Sequence, residues 1–370
     1  MLSYCTNVHP AEDLDGILHQ LDAYALPVRE RFGEDRLGLG LWLAAEVAAG
    51  LAGDPVARRR LRHELGARGL AVQTLNAFPY RGFHDEVVKH AVYHPQWSDV
   101  RRLRYTLDCV EVLADLMPDD AGFGSISTLP LGWRQPWSAE QDLRAVSALD
   151  AVTRVLARCD RPVKLAVEPE PGCVLDTVAD AVGWLAGRVD PEYIGLCLDT
   201  CHLAVSFADP AAAVAEIYDA GLQVMKVQVS AALEVADPAS PAAVAALAGF
   251  AEPRYLHQVR ALAADGRVHA SDDLPQASAE LPSEGPWRVH FHVPLHASPA
   301  EPLGATTGVI TDAVAALSAR VADPARFPHL EVETYTWTVL PEEHRQDLAD
   351  GIAEELRWAR ARLTPEGARI

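Results

Sequence analysis

Acidic and histidine side chains lie within or at the end of four apolar segments of this sequence. The segments VKLAVE, IGLCLD, RVHFHV and HLEVET carry, in that order, Glu168, Asp199, His290 with His292, and Glu331 with Glu333. If these segments are strands, alternation with a period of two places the polar side chains of each on one face. A buried carboxylate is costly unless it is paired or binds a metal. Three carboxylates and one imidazole predict one divalent ion, and the oxygen-rich set favours Mn²⁺ or Mg²⁺, with Zn²⁺ as the alternative.

An interpretation without a metal is also open. The same acidic side chains could pair with Lys164, Lys226 and Arg288 in a buried ion network. A lysine that faces inward beside apolar walls could also form a Schiff base, since burial lowers the pKa of an amine. The sequence contains none of the motifs that mark a serine hydrolase, a P-loop or a zinc protease.

Further polar and aromatic residues near the ends of the predicted strands are candidates for substrate contacts. Amides, amines, imidazoles and indoles are suited to bind the hydroxyl and carbonyl groups of a small metabolite or to stack against its ring. These candidates are Asn7, Asn76, Lys164, Lys226, His202 and Trp337.

The elements that must position these residues alternate between short apolar runs and longer helical patterns. Such alternation is typical of a parallel sheet with helices outside, and about eight units predict a closed (β/α)₈ TIM barrel of the α/β class. Polar residues at the carboxyl ends of barrel strands are the ones that carry catalysis. Nine strands are predicted, one more than a barrel needs: Leu2–Val8, Leu37–Trp42, Ala71–Asn76, Phe123–Thr128, Val163–Glu168, Tyr193–Asp199, Gln223–Val229, Arg288–Val293 and Leu330–Thr334.

Two segments interrupt the alternation. Residues 231–286 are rich in Pro, Asp, Ser and Gly and are predicted to form an insertion on a single barrel domain that spans 1–370. Residues 77–98 follow the third strand and contain three His, two Tyr, two Phe and a Trp. Because loops after barrel strands lie at the active-site face, both segments are predicted to lie over or beside that face.

Composition limits the partners. The chain has 370 residues, of which 49% are hydrophobic, and a formal net charge of −20. An acidic protein lacks the basic face that binds phosphate backbones, so no nucleic-acid partner is expected. No apolar run of 18 residues predicts a membrane span, and the first residues do not resemble a secretory signal, so a cytoplasmic protein is expected.

The motifs also resemble a known family. Glu168 in AVEPEPG, Asp199-Thr-Cys-His202, a histidine on a later strand and a glutamate on the last resemble the xylose isomerase-like TIM barrels. That superfamily includes sugar isomerases, ketose 3-epimerases, inosose dehydratases and endonuclease IV. The runs YCTNVHPAEDL, LDTCHLAV, VHFHVPLH and HLEVETYTWTVLP resemble, more closely, the EboE-type metabolite traffic proteins of that superfamily, which are linked to secondary-metabolite precursors.

The resemblance implies a ligand set for the metal. Glu168, Asp199, one of the two histidines and one of the two last glutamates would bind it, with His292 and Glu333 favoured. The alternative ligands are His202, Gln228, His290 and Glu331. Gln228 stands where the family has a histidine if Gln223–Val229 is the seventh strand. The alternative alignment, in which Arg288–Val293 is the seventh strand and 223–286 is inserted, supplies a histidine and is preferred.

The predicted function is that of a metal-dependent isomerase or epimerase of a sugar or cyclitol-like metabolite in a secondary-metabolite precursor pathway. Glu168 and Glu333 are the predicted acid and base. One alternative is a metabolite-binding or traffic protein on the same barrel, and another is a phosphoesterase similar to endonuclease IV. A homo-oligomer and pathway partners are compatible with the sequence, which does not identify them.

Overall fold

The computed structural model of the protein describes residues 2–363. Within this range the chain forms thirteen strands: β1 (Leu2–Cys5), β2 (Leu37–Trp42), β3 (Leu70–Asn76), β4 (Gly124–Thr128), β5 (Val163–Val167), β6 (Ile194–Asp199), β7 (Val224–Val229), β8 (Ala231–Val235), β9 (Val259–Leu262), β10 (Val268–Ser271), β11 (Trp287–Val293), β12 (Leu303–Ala305) and β13 (His329–Val332).

Helices connect these strands. They are α1 (Leu14–Gln20), α2 (Leu26–Phe32), α3 (Ala45–Gly53), α4 (Pro55–Ala67), α5 (Val100–Leu116), α6 (Ala139–Leu156), α7 (Val178–Leu185), α8 (Thr200–Val205), α9 (Pro210–Asp219), α10 (Pro241–Ala248), α11 (Leu274–Glu280), α12 (Thr307–Arg320) and α13 (Leu348–Leu363). A π-helical turn (Leu21–Ala25) joins α1 to α2, and 3₁₀ turns cover Thr6–Val8, Lys89–Tyr93, Pro324–Arg326, Tyr335–Val339 and Glu342–His344. No helix in residues 2–363 is long and apolar enough to cross a membrane.

Eight of the strands close into a parallel barrel in the order β1-β13-β7-β6-β5-β4-β3-β2. Strand β1 completes the circle because it pairs in parallel with both β13 and β2. The predicted (β/α)₈ barrel is thereby confirmed. All eight carboxyl ends open at the same rim, which is the face where polar residues from different strands can meet.

The interior of the barrel contains a buried ion pair. Lys226 Nζ lies 2.9 Å from Glu331 Oε1, and both side chains are fully buried. Space for this pair comes from Gly40, where an added Cβ would lie 1.4 Å from Glu331 Oε2. Gly40, the second glycine of the LGLGLW strand, is therefore required by the charged pair that it faces.

The remaining five strands form a second, antiparallel sheet in the order β10-β9-β11-β8-β12, inserted between β7 and α12. Residues Trp287–Val293 pair with β8 and β9 of this sheet and with no barrel strand. The preferred alignment of Arg288–Val293 as the seventh barrel strand is therefore wrong, and Val224–Val229 takes that place. The inserted sheet also extends to Ala305, beyond the 231–286 segment predicted from composition.

The inserted sheet and the loop of residues 77–98 meet above the carboxyl rim of the barrel. The backbone nitrogens of Val88 and Lys89 donate to the Arg254 carbonyl at 2.7 and 2.9 Å. Lys89 Nζ lies 2.5 Å from Asp273 Oδ2. These bonds join the two segments into one cover, which we call the lid.

Candidate metal centre

Buried atoms with metal-binding chemistry converge at the carboxyl rim, and no residue in the range 2–363 forms a hydrogen bond with them. They are Glu168 Oε2, Asp199 Oδ2 and His292 Nε2. Ligand atoms of Glu168, Asp199 and Glu333 all lie within 4.8 Å of one another, and those of Asp199, His202 and His292 do the same. Since buried polar atoms are normally hydrogen-bonded, such a group of unpartnered atoms needs an explanation.

Strand ends and a helix cap position the first two carboxylates. Glu168 follows β5, and its backbone nitrogen donates to the Thr128 carbonyl of the neighbouring strand at 3.0 Å. Asp199 ends β6 and caps α8, where its Oδ1 accepts from the His202 backbone nitrogen at 2.9 Å. Ser230 Oγ donates to the same oxygen at 2.8 Å. With Oδ1 occupied, Asp199 Oδ2 is left to face His292 Nε2 at 3.8 Å.

Two amides hold the third carboxylate. Glu333 follows β13, and its Oε1 accepts from Asn7 Nδ2 at 2.7 Å and from Asn76 Nδ2 at 2.9 Å. Asn7 follows β1 and Asn76 ends β3, so three strands contribute to one carboxylate position. Hydrogen-bonding partners of this kind orient metal ligands in known sites.

His292 reaches the barrel rim from the inserted sheet. Its Nδ1 donates to the Glu333 carbonyl oxygen at 2.8 Å, so the lone pair of the neutral ring is on Nε2, the atom that faces Asp199. Burial lowers the pKa of His292 to about 4, although the charge of Asp199 opposes this. A neutral imidazole with a free Nε2 near pH 7 is the form that binds metals.

The electrostatics of the site call for a cation. Burial and then the charges of Glu333 and Asp199 raise the pKa of Glu168 well above its usual value. Burial and then the charges of Asp199 and Glu331 raise the pKa of Glu333 to about 8. Within residues 2–363, no lysine or arginine forms an ion pair with Glu168, Asp199 or Glu333. The site therefore fits a divalent ion.

Gln228 is one of the alternative metal ligands predicted from the sequence. It lies on β7 opposite Asp199 in the register and is fully buried, and both atoms of its amide lack a partner. The amide oxygen is a suitable ligand for Mg²⁺ or Mn²⁺. Gln228 thus stays an alternative to His292.

Other candidate residues lie elsewhere. Lys164 is at the amino-terminal end of the barrel, with its Nζ 5.1 Å from the Phe123 ring, so its prediction as a substrate contact is wrong. Trp337 donates to Glu355 of α13 and does not line the cavity, which also contradicts its predicted role. Lys226 and Glu331 are bound to each other inside the barrel below the site, and neither lines the cavity. Alternation identifies the face of a strand but not the height of a residue along the barrel axis.

A cavity of about 60 Å³ lies between the carboxylates and the lid. It is lined by Asn7, Asn76 and His202, which are predicted substrate contacts, and by His290, a predicted alternative metal ligand. Tyr335 also lines it, as do three residues that were not identified from the sequence, namely Glu170, Tyr93 and Tyr255. The aromatic composition of residues 77–98 indicated that this segment forms one wall of the cavity. The Pro-Glu-Pro sequence directly after Glu168 could have indicated that Glu170 also lies at the rim.

Comparison with known proteins agrees with this architecture. The family model described as "Xylose isomerase-like TIM barrel" matches residues 43–240. No curated protein matches the sequence.

Solved structures share the fold at low sequence identity. A xylose isomerase-like TIM barrel protein from Mycobacterium smegmatis in complex with magnesium has a TM-score of 0.54 and 12% identity, with 98% of this chain and 97% of that chain covered. An L-ribulose 3-epimerase has a TM-score of 0.52 and 15% identity, with coverage of 96% and 91%. A D-allulose 3-epimerase from Methylomonas sp. in complex with D-allulose has a TM-score of 0.52 and 12% identity, with coverage of 98% and 96%.

Proposed function

This chain belongs to the xylose isomerase-like TIM barrel family, and from that premise we propose that it is a divalent-metal-dependent isomerase or epimerase of a sugar or cyclitol-like metabolite. One observation carries the proposal. Unpartnered, buried ligand atoms of Glu168, Asp199 and His292 converge beside Glu333, with no lysine or arginine in residues 2–363 paired to these carboxylates. These four residues would hold the ion.

A bound ion would supply Lewis acidity for a substrate carbonyl. The protein supplies the proton transfers. In the barrel order, β6 and β7 separate β5 from β13, so Glu168 and Glu333 approach the cavity from different sides. One carboxylate takes the proton from a carbon next to the carbonyl, and the electron pair of the broken C–H bond stays on the substrate.

The second carboxylate then returns a proton. Delivery to the opposite face of the same carbon gives epimerisation, and delivery to the neighbouring carbon gives isomerisation. Asn7 and Asn76 keep the Glu333 carboxylate in one orientation during the transfer, since both amides donate to its Oε1. Tyrosine and phenylalanine side chains also line the cavity.

The substrate class is part of the proposal. Solved structures that share the fold include an L-ribulose 3-epimerase and a D-allulose 3-epimerase, and both names refer to small sugars. The cavity offers amides, imidazoles and carboxylates to hydroxyl groups, as a polyol needs. The resemblance of HLEVETYTW and LDTCHLAV to EboE-type proteins further suggests that this polyol belongs to a secondary-metabolite precursor pathway.

Metal content tests the proposal first. Purified, untagged protein reconstituted with Mn²⁺ or Zn²⁺ is expected to retain metal that Glu168→Gln loses from this centre, while circular dichroism stays unchanged. Loss of the fold in Glu168→Gln would support a structural ion network instead. The matched control is Glu343→Gln, which removes an exposed carboxylate.

Proton exchange tests the reaction. Sugars and cyclitols incubated with the loaded protein in deuterated buffer are expected to gain deuterium at the carbon next to the carbonyl, detected by NMR. A protein that binds metal and polyol without any exchange would be a metabolite-binding protein. Absence of metal after reconstitution would contradict both the isomerase and the epimerase.

A further inference from the structure

A second group of ligand atoms lies beside the first. One atom each from Glu170, His202 and His290 lie within 4.8 Å of one another. The side chains of all three residues are at least nine-tenths buried. Glu170 Oε1 accepts from the Tyr93 hydroxyl at 2.7 Å, and its Oε2 is buried with no hydrogen-bond partner among the described residues.

The hydrogen bonds determine which nitrogens of the two imidazoles carry hydrogen. His202 Nδ1 lies 2.9 Å from the Pro169 carbonyl oxygen, which can only accept, so Nδ1 is the donor. His290 Nδ1 lies 2.7 Å from Gln258 Oε1. The orientation of the Gln258 amide is set by its Nε2, which donates to the Pro171 carbonyl at 2.8 Å. His290 Nδ1 is therefore also a donor.

As a result, the Nε2 atoms of two neutral rings present lone pairs to each other. His202 Nε2 and His290 Nε2 are 3.0 Å apart. Two lone pairs at this separation repel unless a cation lies close to both. With Zn–N bonds of about 2.0–2.1 Å, two nitrogens 3.0 Å apart subtend an angle of roughly 90–97° at a shared ion, which a metal site accommodates.

The carboxylates of the cavity also favour a second cation. Four buried carboxylates line the rim: Glu168, Glu170, Asp199 and Glu333. No lysine or arginine in the part of the chain that the structure describes is paired with any of them; their only ion-pair partners there are histidines. When all four carboxyl groups are ionised, one divalent ion neutralises two of the charges and two divalent ions balance all four.

We propose that Glu170, His202 and His290 form a second metal site, selective for a borderline ion such as Zn²⁺ over Mg²⁺. Two imidazoles and one carboxylate make a nitrogen-rich set, which prefers Zn²⁺ or Co²⁺, whereas the first centre is richer in oxygen. The second site goes beyond the reaction proposed above. It depends on the inserted sheet, since His290 lies on β11.

Metal stoichiometry of the full chain tests the second site. Protein stripped with a chelator, reloaded with excess Zn²⁺ and desalted is expected to hold two Zn²⁺ per chain. Glu170→Gln and His290→Gln are each expected to hold one. Glu170→Gln keeps an acceptor for the Tyr93 hydroxyl, so it carries the test if His290→Gln does not fold. His90→Ala removes an exposed histidine of the lid and is expected to keep two.

Two results separate this inference from the proposed function. One Zn²⁺ per wild-type chain, unchanged in Glu170→Gln and His290→Gln but lost in Glu168→Gln, would overturn the second site and leave the first. One Zn²⁺ that is lost in Glu170→Gln and His290→Gln but retained in Glu168→Gln would support the second site and overturn the first. The visible absorption of Co²⁺-loaded protein gives a readout independent of activity, and the band that reports this site is expected to disappear in His290→Gln.

Discussion

At the residue scale, neutral amides rather than cations hold the Glu333 carboxylate. Two amide donors fix its orientation without neutralising its charge, because asparagine carries none. A lysine in the same place would satisfy the oxygen but would also remove the negative charge that attracts a divalent ion. Asn7 and Asn76 therefore orient the Glu333 carboxylate without supplying a positive charge that would neutralise it.

Removal of one of these amides is expected to weaken metal binding. Asn7→Ala leaves Glu333 Oε1 with a single donor, and partners of metal ligands typically contribute about 10- to 100-fold to affinity. A competition titration of Mn²⁺ against a chelator measures the change. Gln20→Ala, an intermediate-exposure polar residue of α1, is the control, and an affinity for Asn7→Ala within twofold of wild type would contradict the role of the amide.

A buried glutamate outside the centre predicts a pH dependence of stability. Glu355 of α13 accepts from Thr334 Oγ1 at 2.6 Å, from the Leu295 backbone nitrogen and from Trp337 Nε1. Burial raises its pKa from 4.5 to about 7, although these bonds oppose the shift. The native state therefore binds the Glu355 proton more tightly than the unfolded state does. The contribution of this group to the unfolding free energy falls as the pH rises from about 4.5 to 7.

Wild-type protein is therefore expected to lose about 2–3 kcal/mol more unfolding free energy between pH 5 and pH 8 than Glu355→Gln does. Urea unfolding of both proteins at the two pH values measures the difference. Glu343→Gln should follow the wild type. Parallel pH profiles for wild type and Glu355→Gln would show that the carboxyl does not titrate in this range.

At the element scale, the sequence predicts the barrel strands but assigns the strand that carries His292 to the wrong sheet. Strands β1 to β7 and β13 are short apolar runs between helices, so their alternation is sufficient to predict them. The run around β11 has the same apolar and polar alternation, because the side chains of any β-strand point to the two faces of its sheet in turn. Pairing partners decide between the two sheets, and no local pattern encodes them.

His292 illustrates why a candidate ligand was identified although its strand was assigned to the wrong sheet. Histidines at alternate positions on β11 pointed to a polar face, and that face meets the barrel rim in either alignment. Glu170, Tyr93 and Gln258 were not found, since their proximity depends on how loops fold over the rim. Lys164 and Lys226 show the opposite limit, because identical alternation places one at the amino-terminal end and the other inside the barrel.

Strand β2 provides a test of the buried ion pair. Gly40→Ala places a methyl group where Glu331 lies, so the carboxylate must move away from Lys226. Breaking a buried pair typically costs about 3–5 kcal/mol. Urea unfolding is expected to show a loss of this size. Gly50→Ala in α3, where an added Cβ meets nothing within 4 Å, is the matched glycine control and should stabilise the helix slightly.

An unchanged stability in Gly40→Ala would mean that the barrel interior can rearrange around the methyl group. In that case the glycine would not be required by the ion pair. A comparison with Gly40→Ala combined with Glu331→Gln separates steric strain from the loss of the charge pair, because the second change removes the charge.

At the scale of the whole molecule, the lid covers a small cavity above the carboxylates. A volume of about 60 Å³ accommodates roughly four to six water molecules, since one water needs about 10–15 Å³ by this measure. A six-carbon polyol has twelve heavy atoms. We therefore expect the lid to move when such a substrate enters.

The bond between Lys89 and Asp273 joins the two parts of the lid, so Lys89→Met is expected to loosen it. Hydrogen exchange is expected to accelerate within residues 82–93 and 254–257, while the global unfolding free energy changes by less than about 1 kcal/mol, as for other partly exposed pairs. Arg101→Met, which removes a surface ion pair with Asp99, is the control. Exchange that increases equally in the barrel strands would indicate global destabilisation instead.

The closure of the barrel by β1 and β13 has a consequence for biosynthesis. Asn7 and Glu333, which share a hydrogen bond, are separated by 326 positions. A growing chain that has exposed Glu168 and Asp199 at the ribosome still lacks both the last glutamate and the strand that seals the barrel. The proposed metal centre is therefore complete only after the last barrel strand has been translated, and a chain truncated before β13 is expected to bind metal weakly.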